Sequence, residues 1–524
     1  MALPSSNPSA RTFTGWFGLL FLVTQLPLYL VRYPDIQDYV NHAARLHIAL
    51  QLSTDPFVAR YYQWTPGIFP NLPLDTIGLG LAAVFGPELG IKLFSSLASL
   101  LVGTGCLALA RAWTGRVSPF LIGILLFNQG LVLHYGLFNF LFGIGVALWL
   151  TAAWITAATN SAASPAATPT AIPAARRCIY FALGATGLYL CHLMAFGVYL
   201  IAIALAELGS GQGTGPTWRR LLPVALQALP ALLLHLLVNQ PGRPVVEPLV
   251  WNGAEWLTLL VSKLLLAGGL LAINLSPDAL WGGMVNLTLI VAGFILWKRH
   301  GLTLLPPARL LVLALAACVL LLPRRGFGSA LLDSRLTFPL ILVAWSGLDW
   351  RPMAASAWRR ACLVTLGVLI VATSAHQAWA WQRMEPLQEQ LRTALQLLPR
   401  GAKVAVVSLP HTDGTPPAMS EHAAAWSVID RSAFLSALWG RPYQPFLIGI
   451  RPEFQAEANL ARLDQPGKPP PPIGSLIGHY DVVVAFGSPQ EAMDYGREAR
   501  SIFQNADATV FDLGSGPVEL LRVP

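Results

Sequence analysis

The chain has 524 residues, of which 54% are hydrophobic and 11% are charged. A water-soluble domain carries about 25% charged residues, so this composition, with a mean hydropathy of +0.55, excludes a single soluble domain. It also excludes a disordered, collagen-like or disulfide-stabilised chain. A polytopic membrane protein remains. The net charge of +8 does not require a nucleic-acid partner to explain it, because Lys and Arg gather in the cytoplasmic loops of such proteins.

The first predicted element is a membrane-spanning helix over 13–31, flanked by Arg11 and Arg32. It is longer than a signal-peptide core and lacks a small-residue cleavage site, so we expect it to stay in the protein. A helix needs ~20 apolar residues to cross ~30 Å of hydrocarbon. Further spans are predicted at 90–110, 118–133, 137–157, 177–192, 194–209, 221–238, 279–297, 308–322, 336–348 and 361–380.

Two more apolar stretches, 72–86 and 257–275, are interrupted or flanked by Pro, Lys or Gly, and they are spans, re-entrant segments or interfacial helices. If both are left out, the basic loops fall on the same side as Arg11, as the positive-inside rule requires. The sequence therefore predicts eleven spans, with a cytoplasmic N-terminus and an extracytoplasmic C-terminus. Counting both stretches gives thirteen spans and the same termini.

The pattern changes near residue 382, after which 12 Lys/Arg and 15 Asp/Glu residues give the composition of a soluble domain. Buried strands are predicted at 403–408 and 480–486, and a final strand pair at 508–512 and 517–523. Helices are predicted at 384–398 and 491–503. We therefore expect a mostly α protein. A polytopic transmembrane helical bundle over 1–381 is followed by a small extracytoplasmic α/β domain over 382–524.

The strongest local signal lies in the first outer loop, 32–75, where residues 33–45 read YPDIQDYVNHAAR. Polar residues spaced 3, 3, 1 and 3 apart would share one face of a helix. These residues are Asp35, Asp38, Asn41, His42 and Arg45. One interpretation is an amphipathic juxtamembrane helix with a solvated polar face. The other is a catalytic face, on which a carboxylate beside a histidine deprotonates an incoming hydroxyl.

The predicted topology brings further polar residues to the same outer face. They are His134, Tyr135, His192, Asn239, Arg243, Glu247, Arg324, Arg325, Asp333 and Arg335. Each of the histidines also suits a structural role, and the arginine pair also suits a headgroup anchor. The planar fork of Arg nevertheless matches phosphate well. Carboxylates and arginines at one membrane face therefore suit transfer from a lipid-linked phosphosugar, in which the arginines stabilise the departing phosphate.

Two other polar groups receive simpler interpretations. The aromatic run at 61–64 (YYQW) is expected in the interfacial aromatic belt, with stacking on sugar rings as the alternative. His411 and Asp413 follow the first predicted strand and are expected in a surface turn. Neither predicted strand is followed by a Gly-rich phosphate loop, so nothing indicates a nucleotide site there.

The layout resembles the GT-C membrane glycosyltransferases, which have an early span, a long outer loop opening with Asp residues, many further spans and a soluble outer C-terminal domain. Short patches resemble bacterial members of that superfamily. They are DIQDYVNHAAR at 35–45, NLP at 71–73, YGLFNFLFG at 135–143, HLMA at 192–195 and DSRLTFP at 333–339. The resemblance implies that Asp35 or Asp38 is the general base. It also implies that Arg324, Arg325 or Arg335 contacts the donor phosphate.

The site prediction follows from both arguments. The catalytic candidates are Asp35, Asp38 and His42, and the substrate-binding candidates are Asn41, Arg45, His134, His192, Arg324, Arg325 and Arg335. The expected partners are a polyprenyl-phosphate sugar donor, an extracytoplasmic acceptor and the lipid bilayer of the cell membrane. No cofactor is assigned, and a divalent metal ion stays open because the family's members differ in metal use.

Two other classes of protein compete with the enzyme. A transporter or lipid-linked-glycan translocator would place charged residues in mid-span, often with an internal repeat or broken helices. A non-catalytic membrane scaffold would not require Asp35 or Asp38.

Overall fold

The computed structural model describes residues 10–163, 174–209, 217–237, 278–323, 325–326, 329–354, 357–409, 420–440, 446–461 and 469–514. Helices dominate. The longer ones are Ala10–Leu30, Tyr39–Gln51, Pro87–Thr114, Phe138–Ala163, Ala174–Cys191, Leu193–Gly209, Thr217–Leu237, Ala279–His300, Pro306–Leu321, Leu332–Ser346 and Arg359–Leu395. The short ones are Pro56–Tyr61, Leu79–Phe85, Leu131–His134, Arg351–Ala354, Trp426–Arg431, Gln455–Leu460 and Pro489–Tyr495.

A helical segment coincides with each of the eleven predicted spans. Within the described residues, five helices are long and apolar enough to cross a membrane, and four shorter apolar helical segments accompany them. The stretch predicted at 118–133 is a 3-10 segment, Pro119–Gln129, followed by the short α-helix Leu131–His134. The stretch at 72–86 forms a π-helical turn, Leu74–Gly78, and the helix Leu79–Phe85, whereas 257–275 lies outside the described residues.

The outward faces of the long helices are apolar, as the sequence predicts for a protein of the bilayer. Large side chains such as Leu22, Leu236, Leu287, Leu313 and Val364 are exposed rather than packed inside. A soluble monomer rarely exposes contiguous apolar surface on this scale. In a lipid bilayer, the same surface faces hydrocarbon without cost.

Two parallel helices, Pro87–Thr114 and Phe138–Ala163, form the centre of the bundle. Glycines let their backbones approach closely, as small residues do between membrane helices. A Cβ atom at Gly145 would lie 2.7 Å from the Leu101 Cβ atom, and one at Gly105 would lie 2.9 Å from the Leu148 Cβ atom. Because the helices are parallel, both begin on the same side of the bundle, close to the first outer loop.

The C-terminal part contains a five-stranded sheet, and we call it the C-terminal sheet. Its strands are β4 (Lys403–Ser408), β5 (Phe434–Leu435), β7 (Val482–Phe486), β8 (Arg500–Gln504) and β9 (Ala508–Asp512), in the order β5-β4-β7-β9-β8. Strand β4 pairs in parallel with β5 and β7, and β9 is antiparallel to β7 and β8. The continuous apolar runs VAVV and VVVAF suit strands that are buried on both faces.

The prediction of one helix over 491–503 is wrong in its second half. The helix Pro489–Tyr495 begins with a capping box between Ser488 and Glu491 and ends at Gly496. Residues Arg500–Gln504 then form β8, whose main chain pairs antiparallel with β9. The strand predicted at 517–523 lies outside the described residues.

The helix Arg359–Leu395 connects the bundle to the C-terminal sheet. It contains 37 residues and runs without interruption through the predicted domain boundary at 381/382. At a rise of ~1.5 Å per residue it is about 55 Å long, which exceeds the hydrocarbon thickness of a bilayer. Its last turns therefore extend beyond the bundle and carry the sheet, and the helix predicted at 384–398 is their continuation.

The first outer loop is packed against the C-terminal part of the chain. Strand β1 (Tyr62–Trp64) pairs antiparallel with β6 (Ile448–Ile450). The Tyr61 hydroxyl donates to the Gly401 carbonyl at 2.6 Å, and the Tyr62 hydroxyl donates to the Ala433 carbonyl at 2.9 Å. The prediction that these tyrosines lie in an interfacial belt is wrong, because both are buried between the loop and the sheet.

Candidate active site

The helix of the first outer loop begins later than the sequence predicts. This loop helix, Tyr39–Gln51, has Asp38 at its N-cap, so Asp35 precedes the helix. The amide of Gln37 donates to the His134 carbonyl at 2.8 Å, which holds the preceding turn away from helical geometry. Asp35 therefore does not share the face that the spacing predicted.

The four remaining polar residues of that face are buried. Their exposed fractions are 3% for Asp38, 0% for Asn41, 4% for His42 and 1% for Arg45. The interpretation of a solvated face is therefore wrong, because the face packs against the starts of membrane helices and against the C-terminal part of the chain. Buried polar groups need partners, and those partners define the site.

The Asp38 carboxyl lies at the centre of the site and has charged groups around it. Burial raises its pKa well above the usual range, the positive charges of Arg335 and Arg45 oppose this shift, and Glu421 adds to it. The His422 Nε2 atom lies 3.5 Å from the Asp38 Oδ1 atom. A buried carboxyl with a raised pKa is a stronger base than an exposed one, which suits proton abstraction.

Asp35 occupies a different environment. It is half-buried, and burial followed by the charge of Asp507 raises its pKa to about 6. The His134 ring bonds to the main-chain carbonyl of Asp35. His134 therefore supports the turn that leads into the loop helix.

Arg335 and His192 reach the site from two other parts of the chain. Arg335 lies in the first turn of the helix Leu332–Ser346, and its charge acts on both the Asp38 carboxyl and the His192 ring. Within the described part of the chain, its Nε atom is buried without a hydrogen-bond partner. The His192 Nδ1 atom accepts from the Met194 amide at 3.2 Å, which caps the helix Leu193–Gly209.

The predicted roles of Arg324 and Arg325 in phosphate binding stay predictions. Arg324 lies outside the described residues, and of Arg325 only the main chain is described. Its strand, β2 (Arg325–Gly326), pairs with β3 (Ser329–Ala330) immediately before the helix that carries Arg335. His411, Asp413, Asn239, Arg243 and Glu247 also lie outside the described residues.

His42 bonds to a main-chain carbonyl rather than to a carboxylate. Its Nε2 atom lies 3.1 Å from the Gly136 oxygen, and its ring lies between those of Phe138 and Trp439. Burial, followed by the charge of Arg45, lowers the pKa of His42 well below its usual value, so the ring is neutral. Because a carbonyl only accepts, the proton of the neutral ring is on Nε2.

Arg45 forms a buried ion pair with Asp75. Its Nη2 atom donates to the Asp75 Oδ1 atom at 2.7 Å, and both side chains are buried. The guanidinium carbon lies 3.4 Å from the centre of the Phe446 ring. The second oxygen of Asp75 accepts from the Leu447 amide at 2.9 Å. The pair therefore attaches the loop helix to the segment before β6.

Asn41 connects the loop helix to residues that sequence reasoning missed. Its Oδ1 atom accepts from the Trp439 amide at 3.0 Å, and its Nδ2 atom contacts the Ala437 carbonyl at 3.0 Å and the His422 Nδ1 atom at 3.2 Å. Glu421 and His422 lie in a 3-10 segment, Glu421–Ala425. No motif or spacing distinguishes them, since they reach the site only through the docking of the C-terminal sheet.

Three of the short patches that carry the family resemblance meet beside the site. The Asn139 side chain accepts from the Leu74 amide at 2.9 Å and donates to the Asn71 carbonyl at 3.1 Å. The Asn71 amide in turn donates to the Cys191 carbonyl at 3.3 Å, immediately before His192. The patches at 71–73, 135–143 and 192–195 thus hold the outer loop to the starts of two membrane helices.

Gly136 provides a sensitive test of the position of Asp38. It has a φ of +72°, and a Cβ atom there would lie 2.8 Å from the Asp38 Cβ atom. We expect Gly136→Ala to displace the carboxyl and to lower catalytic activity by about 10²-fold, the cost of a ~1 Å misplacement. Gly115→Ala is the matched control, because Gly115 also has a φ of +72° but no atom within 4 Å of the added Cβ. Equal activity of the two variants in purified protein would contradict the expectation.

Among the described residues, no group of three or more His, Cys, Asp or Glu side chains is arranged to hold a metal ion. The cations that face Asp38 are guanidinium groups, Arg335 and Arg45.

Comparison with known proteins identifies the fold. No protein-family model and no curated protein matches the chain. The solved structure of ArnT from Cupriavidus metallidurans bound to undecaprenyl phosphate matches with a TM-score of 0.56 and 14% identity, over 97% of this chain and 100% of that chain. ArnT from the same organism in the apo state matches with a TM-score of 0.45 and 16% identity, over 96% and 99% of the two chains. ArnT is a GT-C glycosyltransferase, and the chain has the fold of the GT-C membrane glycosyltransferases.

Proposed function

We propose that the chain is an integral membrane glycosyltransferase that moves a sugar from a polyprenyl-phosphate-linked donor to an extracytoplasmic acceptor. Asp38 acts as the general base. The observation that carries the proposal is that a buried carboxyl, Asp38, lies within the electrostatic influence of the guanidinium of Arg335, which comes from a helix late in the bundle. The donor class is supported by the undecaprenyl phosphate bound to ArnT, which has a similar fold.

The proposed reaction uses these two groups on opposite sides of the sugar. The acceptor hydroxyl donates a hydrogen bond to Asp38 and loses its proton to the carboxylate as its oxygen attacks the anomeric carbon. The bond between that carbon and the phosphate oxygen breaks, and the electron pair leaves with the polyprenyl phosphate. Arg335 stabilises the negative charge that develops on this phosphate. The proton on Asp38 is then lost to water.

Asp38 suits the role of base better than Asp35 for two reasons. Its carboxyl is buried and acted on by Arg335, whereas Asp35 is half-buried and acted on by another acid, Asp507. Asp38 also has a fixed position, since it begins the loop helix and packs against Gly136. A general base needs both a perturbed pKa and fixed geometry.

The arrangement of basic residues supports the proposed orientation in the membrane. Arg351 bonds to Asp349, and the charge of Arg116 acts on the same carboxylate. Arg177 lies over the ring of Trp154. Trp154 belongs to the helix Phe138–Ala163 and lies about 24 Å along it from the Phe138 end, which faces Asp38. We therefore place these basic residues and the N-terminus in the cytoplasm, and the loop helix and the C-terminal α/β domain outside, with eleven spans between them.

The proposal is tested by following the sugar. Membranes containing the full chain are incubated with a panel of radiolabelled polyprenyl-phosphate monosaccharides, and endogenous envelope glycolipids serve as acceptors. The expected result is label in a new glycosidic product together with free polyprenyl phosphate. A translocator would instead move label across the vesicle membrane with the sugar–phosphate bond intact, and that outcome would overturn the proposal.

Replacement of Arg335 tests the phosphate contact within the same assay. We expect Arg335→Gln to lower transfer by about 10²- to 10³-fold, since it removes a charged donor aimed at the developing phosphate charge. Arg335→Lys keeps the charge without the planar fork and should retain part of the activity. Arg351→Gln is the control, because this arginine is 64% exposed and belongs to the basic groups that we place in the cytoplasm. Wild-type transfer by Arg335→Gln would remove Arg335 from the mechanism.

A further inference from the structure

His422 belongs to the C-terminal part of the chain but lies beside the proposed base. It is buried, in the 3-10 segment Glu421–Ala425, and its two ring nitrogens face different partners. The Nε2 atom lies 3.5 Å from the Asp38 Oδ1 atom, and the Nδ1 atom lies 3.2 Å from the Asn41 Nδ2 atom. The ring therefore lies between two residues of the outer loop.

The orientation of the Asn41 amide follows from its other contacts. The Trp439 main-chain N–H can only donate, so the atom that it meets at 3.0 Å is the amide oxygen of Asn41. The amide nitrogen then points at the Ala437 carbonyl, which can only accept, and at the His422 ring. Both ends of the amide are thus determined by main-chain groups.

The orientation of Asn41 determines where His422 carries its proton. An amide nitrogen can only donate, so the His422 Nδ1 atom accepts and bears no hydrogen. A neutral imidazole then has its proton on Nε2. Burial lowers the pKa of His422, with Glu421 acting in the opposite direction, so the neutral form dominates. The Nε2 atom, which carries the proton, lies 3.5 Å from the Asp38 Oδ1 atom.

We propose that His422 is a positioning residue for the general base. Asn41 holds it as the Nε2–H tautomer, and its N–H is directed at the Asp38 Oδ1 atom. This inference rests on the proposed function and adds that the C-terminal part of the chain, through His422, completes the active site. The other charged groups facing Asp38 are Arg45 on the loop helix, Arg335 from the helix Leu332–Ser346, and Glu421 beside His422.

In catalysis, His422 would fix the orientation of the Asp38 carboxylate. A donor held at Oδ1 leaves Oδ2 for the acceptor hydroxyl. The separation of 3.5 Å is long for a hydrogen bond. Catalytic hydrogen bonds are often long before substrate binds and shorten in the complex. A donor to the charged form of a carboxyl also lowers its pKa, so His422 moderates the effect of burial on Asp38.

Two substitutions separate positioning from mere packing. We expect His422→Ala to lower kcat by about 10- to 100-fold, with a KM for the polyprenyl-phosphate sugar within about twofold of wild type. His422→Gln supplies an N–H at a similar reach and should restore most of the activity. Because the lost donor raises the pKa of Asp38, the acid limb of kcat/KM should move to higher pH in His422→Ala and stay in place in His422→Gln.

A measurement without turnover completes the test. The full chain is labelled with ¹⁵N-histidine and placed in lipid nanodiscs, and the His422 signals are assigned by comparison with His422→Gln. We expect the shifts of the Nε2–H tautomer in wild type and of the Nδ1–H tautomer in Asn41→Asp, whose carboxylate accepts from Nδ1.

The outcomes distinguish this inference from the proposed function. An Nδ1–H tautomer in wild type, or wild-type kcat and pH profile in His422→Ala, would overturn the role of His422 while sugar transfer stands. Absence of transfer by wild type would overturn the proposed function, and the tautomer would still decide whether Asn41 controls His422.

Discussion

Replacement of Asp38 by Asn is expected to lower the rate of sugar transfer by about 10²- to 10⁴-fold, the contribution of a positioned general base. Asn has the same shape as Asp but cannot take a proton from the acceptor hydroxyl. The measurement is the initial rate of label transfer from a polyprenyl-phosphate sugar. The donor affinity should change little, since Arg335 rather than Asp38 faces the phosphate in the proposed mechanism.

The pH dependence of the wild-type protein should follow from the raised pKa of Asp38. The base works only when deprotonated, so transfer should fall as the pH falls through that pKa. The folding stability of the protein depends on pH in the opposite direction to the transfer rate. A carboxyl whose pKa is raised by folding stabilises the protein while protonated, and this contribution is lost as the pH rises through the folded-state value.

The pH dependence of stability predicts how the Asp38→Asn variant unfolds. Asn imitates the protonated carboxyl, so Asp38→Asn should unfold at the same temperature as wild type or higher at neutral pH. The midpoint of thermal unfolding in detergent measures this. A strongly lowered midpoint would mean that the variant is inactive because it misfolds, and it would contradict the electrostatic account of Asp38.

Asp35→Asn is the matched control, because Asp35 is an acid of the same loop that lies outside the loop helix. We expect its transfer rate to stay within about tenfold of wild type, since it only changes a half-buried carboxyl near the site. The reverse result, with Asp35→Asn inactive and Asp38→Asn active, would reassign the base to Asp35.

Helix positions were predictable because their signals are local. A run of apolar residues identifies a membrane helix without reference to the rest of the chain, and Pro87, Pro119 and Pro306 mark helix starts. The strands β4 and β9 were predicted with their observed bounds for the same reason. The start of the loop helix was misplaced because a contact distant in sequence, between Gln37 and His134, decides it.

The composition of the site was only partly predictable. Asp38 and Arg335 could be identified from residue type and predicted sidedness. Glu421 and His422 could not, because their approach depends on how the C-terminal sheet docks onto the loop helix. Asn41 illustrates the limit, since its spacing predicted a substrate-binding residue but could not show that its amide bonds to Trp439 and His422.

Arg392, near the end of the long helix Arg359–Leu395, contacts both the bundle and the C-terminal part of the chain. Its guanidinium forms a two-pronged pair with Asp430, at 2.8 and 2.9 Å, and also donates to Glu88 at 3.0 Å. It lies 3.9 Å from the centre of the Trp426 ring. One buried cation thus joins the bundle, through Glu88, to the segment that carries His422 into the site.

Replacement of Arg392 by Ala is expected to destabilise this junction by about 3–5 kcal/mol, because it leaves Asp430, whose side chain is only 13% exposed, without its cation. Hydrogen exchange of the β4 amides measures the effect. The protection factors should fall by about two to four orders of magnitude, and the loosened sheet should withdraw His422 and reduce transfer. Arg392→Lys should recover only part of the protection, since it loses the planar fork.

Arg497→Ala provides the comparison for Arg392→Ala. Arg497 also pairs with an acid of the C-terminal region, Asp494, but its side chain is 77% exposed. Exposed pairs contribute little to stability, so protection of β4 should stay close to that of wild type. If the two variants exchanged alike, the junction would not depend on Arg392. The position of His422 would then have to come from the main-chain pairing of β1 with β6 and from the bonds of Asn41.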